Sequence, residues 1–126
     1  MTDDDKPVPT IISTPQGDIE ASKTTVPESR VFRNAWVLEG DIIIVDMDLA
    51  RDVARDKIRQ ERAPLLADLD TQYLRLSETG AAPTDIIAAK QKLRDAPQDS
   101  RLDAAQDPAS LEEAMSVIID EMKDAV

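Results

Sequence analysis

Apolar residues change their spacing twice along this chain. Between Val31 and Val45 they crowd together: Val31, Ala35 and Val37, then the run Ile42-Ile43-Ile44-Val45. That run is β-branched throughout and favours a strand. Glu39-Gly40-Asp41 separates the two stretches, and Gly40 is free to adopt a positive φ. The pattern predicts a β-hairpin over 31–46. Two strands alone are marginal in water, so the hairpin must dock on something.

From residue 47 onward the spacing becomes helical. Leu49, Val53 and Ile58 are followed by Leu65, Leu66, Leu69, Tyr73 and Leu76, the later ones three and four apart on one face. Asp46 or Asp48 can cap the start. Pro64 removes one backbone donor and clashes with the preceding turn, which predicts a break near residues 61–63 and two helices, 47–62 and 64–79. Gly80 suits the residue just past the end. A third helix is predicted over 84–95, capped by Thr84, striped by Ile86, Ile87 and Leu93, edged by Lys90, and stopped by Ala96-Pro97. Residues 98–107 read as a polar link anchored by Leu102. Asp107-Pro108 opens a last helix over 108–125, an acid cap followed by proline at the first helical position. In it Leu111, Met115, Ile118 and Met122 step by four, three and four, an apolar seam suited to another helix.

Ahead of the hairpin the pattern fades. Residues 1–30 hold Pro7, Pro9, Pro15 and Pro27 and the acidic run Asp3-Asp4-Asp5, with Ile11, Ile12 and Ile19 as sizeable apolar anchors. They read as an extended arm, either a solvated tail or a segment lying along a partner by strand addition. The predicted class is α+β, mostly α: arm 1–30, hairpin 31–46, helical region 47–126.

Composition narrows the function more than the fold. Phe32, Trp36 and Tyr73 are the only aromatic residues among 126, and there is no histidine or cysteine. Thiolate chemistry, zinc–sulfur sites and the commonest general base are thereby excluded. The remaining D-x-D pairs, Asp46/Asp48 and Asp68/Asp70, lack the central glycine and the bidentate glutamate of a calcium loop. No catalytic, cofactor-binding or metal-ligating residue is expected, and the chain reads as a non-enzyme. Its formal charge of −11 argues against nucleic acid and anionic membranes as partners. The opening MTDDDKPVPT lacks a basic start and an apolar stretch, so it does not read as a signal peptide, and synthesis in a cytoplasm is expected.

Binding to other proteins remains. Three groups of residues are candidates for it. Phe32 and Trp36 form either the hairpin's own small core or anchors for a partner. Arg51, Arg55, Arg59 and Arg62 step by four, four and three, making either a ridge that clamps acids or a solvated face neutralised by Asp48, Asp52, Asp56 and Glu61. Leu111, Met115, Ile118 and Met122 would seat the last helix on a neighbour.

Several stretches point further. VPESRVFRNAWVLEG, VDMDLARDVARDKIRQERAPLLADLD, IIAAKQKLRDAP and LDAAQDPASLEE together resemble a group of small proteins of tailed bacteriophages, described as tail proteins or tail-assembly-chaperone-like. RVFRNAW ahead of VDMD, and KQKLRDAP, are its most specific pieces. The resemblance spans roughly residues 26–113 and leaves out the arm and most of the last helix. It carries no catalytic residues. It implies a non-enzymatic accessory protein of the virion tail, associated with fibre, baseplate or tail tip, made in the host bacterium and forming homo- or hetero-oligomers. A transient assembly chaperone that leaves before maturation is one alternative. Another is an acidic counter-defence inhibitor that mimics nucleic acid.

Overall fold

A computed structural model describes residues 10–126. The fold is α+β and mostly α. Two short antiparallel hairpins precede four helices: β1 (Ile11–Thr14), β2 (Gly17–Glu20), β3 (Trp36–Glu39), β4 (Ile42–Val45), α1 (Met47–Thr79), α2 (Thr84–Asp95), α3 (Ser100–Ala104) and α4 (Pro108–Asp124).

The first departure from expectation is the arm. Its residues 1–9, including Pro7, Pro9 and the aspartate run, lie outside the described residues. From Ile11 the chain pairs with itself rather than extending. Ile12 faces Ile19 across the hairpin, and Thr14 faces Gly17 around a Pro15-Gln16 loop. Thr14 Oγ1 donates to the Gly17 carbonyl at 2.6 Å, and the Gln16 N–H donates to Thr14 Oγ1 at 3.3 Å. A threonine side chain thus closes the turn that Pro15 opens.

The second hairpin is shorter than predicted. Its first strand starts at Trp36, because Arg33–Ala35 form a 3-10 turn. Gly40, at φ 63°, holds the first loop position between Glu39 and Ile42, the place a II′ turn reserves for glycine. The Asp46 N–H then bonds the Ala35 carbonyl at 2.9 Å and hands the chain to α1.

Asp46 is the cap of α1: its Oδ1 accepts from the N–H groups of Asp48 (3.0 Å) and Leu49 (3.2 Å). The predicted break at Pro64 does not occur. One helix of 33 residues, about 50 Å long, runs through it. Gln60, whose carbonyl loses its donor, is exposed, as is Pro64, so water can serve that carbonyl. Gly80, at φ 73°, ends the helix as expected. Thr84 does not cap α2; it is the first helical residue, and Pro83 holds the cap position without a side-chain bond. Part of the predicted polar link is helical: α3 is capped by Asp99, and Leu102 is fully buried within it.

The main core lies between α1 and the elements folded back on it. Ala50, Ala54, Ile58 and Leu69 of α1 meet Leu93, Leu102, Leu111, Met115, Ile118 and Met122, with Phe32 and Ala35 closing one end. Ala50 and Ala54 let neighbouring backbones approach closely. Most of the predicted stripe lies on this face, with Ile58 and Leu69 buried in it and Val53, Leu65 and Leu66 packed against it, while Leu49 and Tyr73 are exposed. A second, smaller cluster of Ile12, Trp36 and Ile43 joins the inner faces of the two hairpins.

Candidate functional site

None of the three expected groups forms a free contact surface. Leu111, Met115, Ile118 and Met122, expected to seat α4 on a neighbour, are all buried in the chain's own core, Leu111 at 0% exposure. Their seam meets α1. Phe32 is buried in that same core. Trp36, 4% exposed, lies between the hairpins, with Arg30 stacked over its ring at 5.7 Å. Its indole N–H is the one buried side-chain polar atom without a partner among the described residues.

The arginine ridge is a set of internal ties. Arg51 donates from Nε to the Leu102 carbonyl at 3.2 Å and from its guanidinium to the Ala105 carbonyl at 2.8 Å. Arg55 pairs with Asp103, and Arg62 donates to the Arg94 carbonyl at 3.1 Å. The solvated-face reading holds in part: Arg51, Arg55 and Arg59 also pair with Asp48, Asp52 and Asp56 one turn away, and for Arg59 that is the one polar contact among the described residues. The ridge therefore clips α1 onto the α2–α3 segment. Arg51 matters most, because its side chain is only 20% exposed and serves two carbonyls. Arg51→Ala should cost about 2 kcal/mol by leaving both without a donor. Arg51→Lys, which keeps the charge but not the planar fork, should recover less than half. Urea unfolding of the three proteins measures this.

An open groove of about 580 Å³ lies between α4 and the segment from Lys92 to Arg101. Its centre is Arg101, which faces two carboxylates at once. It meets Asp99 at 3.0 and 2.8 Å and Glu121 at 3.0 and 2.8 Å. These bonds hold the carboxyl groups of Asp99 and Glu121 below their ordinary range and raise the guanidinium further. All the charges at the groove's centre therefore satisfy one another. The arrangement fastens α3 to α4, and it presents neither an activated nucleophile nor an unpaired acid. Residue identity gave no hint of it, because Arg101 and Glu121 are twenty positions apart.

The clasp has a pH signature. A carboxyl group whose folded pKa is depressed stabilises the fold above its unfolded pKa, and loses that contribution as pH falls through the folded value. The melting temperature should therefore drop in acid, below the ordinary carboxylate values of 3.8 and 4.5. Arg101→Gln should shift the neutral-pH melt down and bring the two proteins together at the acid end. Parallel melting curves at every pH would disprove the coupling.

Among the described residues, no group of three or more acidic, histidine or cysteine side chains is placed to hold a metal ion. No helix there is long and apolar enough to cross a membrane. No family model matches the chain, and neither curated proteins nor solved structures give a match.

Single apolar residues are exposed on several elements, among them Leu74, Ile87 and Val117, and on one sheet face they lie together. Trp36, Leu38, Ile43 and Val45 point inward to the small cluster, so Val37, Glu39, Ile42 and Ile44 point outward. Ile42 is 52% exposed and Ile44 is 38% exposed. The run Ile42-Ile43-Ile44-Val45 is apolar at every position, so no polar–apolar alternation in it marks which face is outward.

Proposed function

We propose that this chain is a non-catalytic accessory protein of a bacteriophage tail, working through protein–protein contacts and retained with the fibre, baseplate or tail tip. The sequence resemblance over residues 26–113 suggests the setting. The observation that carries the mode of action is the outward apolar face of β3–β4, three β-branched residues set on a hairpin whose other face is occupied. Larger apolar patches on soluble proteins mark contact sites, and strand faces are stiff enough to present one. The groove's central arginine is already held by Asp99 and Glu121.

Mass spectrometry of purified virions tests the proposal. A tail component appears at fixed stoichiometry through successive gradients. A protein present in lysate complexes with a fibre subunit and missing from particles would be an assembly chaperone instead. Nucleic-acid mimicry receives less support, since Arg51, Arg55, Arg59 and Arg62 break up the carboxylates along α1.

A further inference from the structure

We infer that the first hairpin, β1–β2, is a detachable strap: it covers the inner face of β3–β4 and lifts from it while the rest of the fold stays in place. The two hairpins are fastened unequally. β3–β4 is tied into the main body. Phe32 and Ala35, just ahead of it, are buried in the main core, and Val45 packs against that core. The Asp46 N–H holds the Ala35 carbonyl at 2.9 Å. β1–β2 has far less. It forms its own sheet, with no ladder joining it to β3–β4. Of residues 10–24, Ile12 alone is buried, with Ile19 and Ala21 partly buried beside it. Among the described residues, a single hydrogen bond crosses from residues 10–23 to the remainder, from the Leu38 N–H to Gln16 Oε1 at 3.0 Å. It lies at the surface, where water replaces it at little net cost. No ion pair among those residues crosses either: Lys23 pairs with Glu20 inside the segment.

The closed state also carries a defect. The Trp36 indole N–H is buried in the small cluster without an acceptor. A buried donor left unpaired is unfavourable, and water entering the cluster as Ile12 lifts would satisfy it. Closure therefore gains apolar burial at Ile12, Ile19 and Trp36 and loses a hydrogen bond at the same place. The two effects oppose each other, which keeps the open form within reach as a minor state.

The connection permits the movement. Residues 24–30 form neither helix nor strand. The Ile43 N–H donates to the Thr25 carbonyl at 3.2 Å, so the connector is pinned immediately after Thr24. The strap can swing about Thr24 without loosening β4. Its opening bares Trp36, Leu38 and Ile43 on a hairpin whose outer face already exposes Ile42 and Ile44. The strap thus sets whether β3–β4 presents one apolar face or two. It does not rest on the tail reading: pure protein tests the strap, and particle composition tests the setting.

Hydrogen exchange followed by nuclear magnetic resonance is the experiment, since one tryptophan gives one indole signal. The indole N–H should be protected about 100-fold relative to free tryptophan, as for a site open about 1% of the time. The amides of Ile118 and Met122, in the main core, should be protected at least about 100-fold more. Low urea should speed those amides and leave the indole unchanged, because lifting a short hairpin exposes little surface. Ile12→Ala should lower indole protection about tenfold and leave the α4 amides as they were. Ile118→Val should do the reverse, lowering α4 protection about fivefold without moving the indole. Indole protection equal to that of α4 overturns the inference. So does a common response of the two sites to urea or to either substitution.

Discussion

Leu111→Asp should leave the chain largely unfolded at neutral pH. Leu111 is completely buried against α1, and nothing near it in the core could pair with a carboxylate. An unpaired buried charge costs several kcal/mol even after its pKa adjusts. A domain of this size has about 5–15 kcal/mol in total. The gentler Leu111→Ala should cost about 2–5 kcal/mol, the range for a buried leucine whose cavity collapses only in part. Ile118→Asp should behave like Leu111→Asp, for the same reason. Far-ultraviolet circular dichroism and urea titration measure all three. Had the seam of α4 faced a partner, these substitutions would leave the isolated chain folded and reduce only its association. A folded, soluble Leu111→Asp protein would therefore refute the packing of α4 on α1.

Pro64→Ala should stabilise the protein, the second large effect and of opposite sign. Proline inside a helix costs about 3 kcal/mol through the lost hydrogen bond and ring clash. Its stiffening of the unfolded chain returns roughly 0.4–1 kcal/mol of that. Pro64 is exposed, so little packing is lost with its ring. The net expectation is a gain of about 2 kcal/mol, with a melting temperature higher by roughly 6–10 °C. An unchanged or lower melting point would mean that α1 needs the local distortion at Gln60–Pro64 for its fit to the rest of the molecule.

Local signals were the legible part of this fold. Asp46, Gly40, Gly80 and Asp107-Pro108 each act within a few residues of themselves, and each does what its type and position predict. The seam of α4 was equally plain in its spacing, but spacing gives a face without giving what covers it. Its cover is α1, whose contact there is built from Ala50 and Ala54. Alanines contribute little to a hydrophobic pattern, so this part of the contact face of α1 was hidden behind the larger, exposed Leu49. Pro64 misled because a strong local preference was overruled by packing on both sides of it. The first hairpin was obscured by the prolines around it, although Ile11-Ile12-Ser13-Thr14 ahead of Pro15-Gln16-Gly17 carried a strand-and-turn signal.

The arginines of α1 illustrate a different limit. Their even spacing was visible, and so was the interleaving of acids that could neutralise them. What decided their role was the pair of carbonyls at Leu102 and Ala105, some fifty residues further along the chain. Every residue has a carbonyl, so side-chain identity cannot mark one as an acceptor. Only the path of the backbone brings it there.

Trp36 gives this chain an optical probe of its own. With a single indole, lodged between the hairpins and apart from the main helical core, its emission wavelength and quenching report the sheet layer alone, while ellipticity reports the helices. If the small layer opens first on heating, the two signals part company and the molecule has two cooperative units; if they coincide, it melts as one.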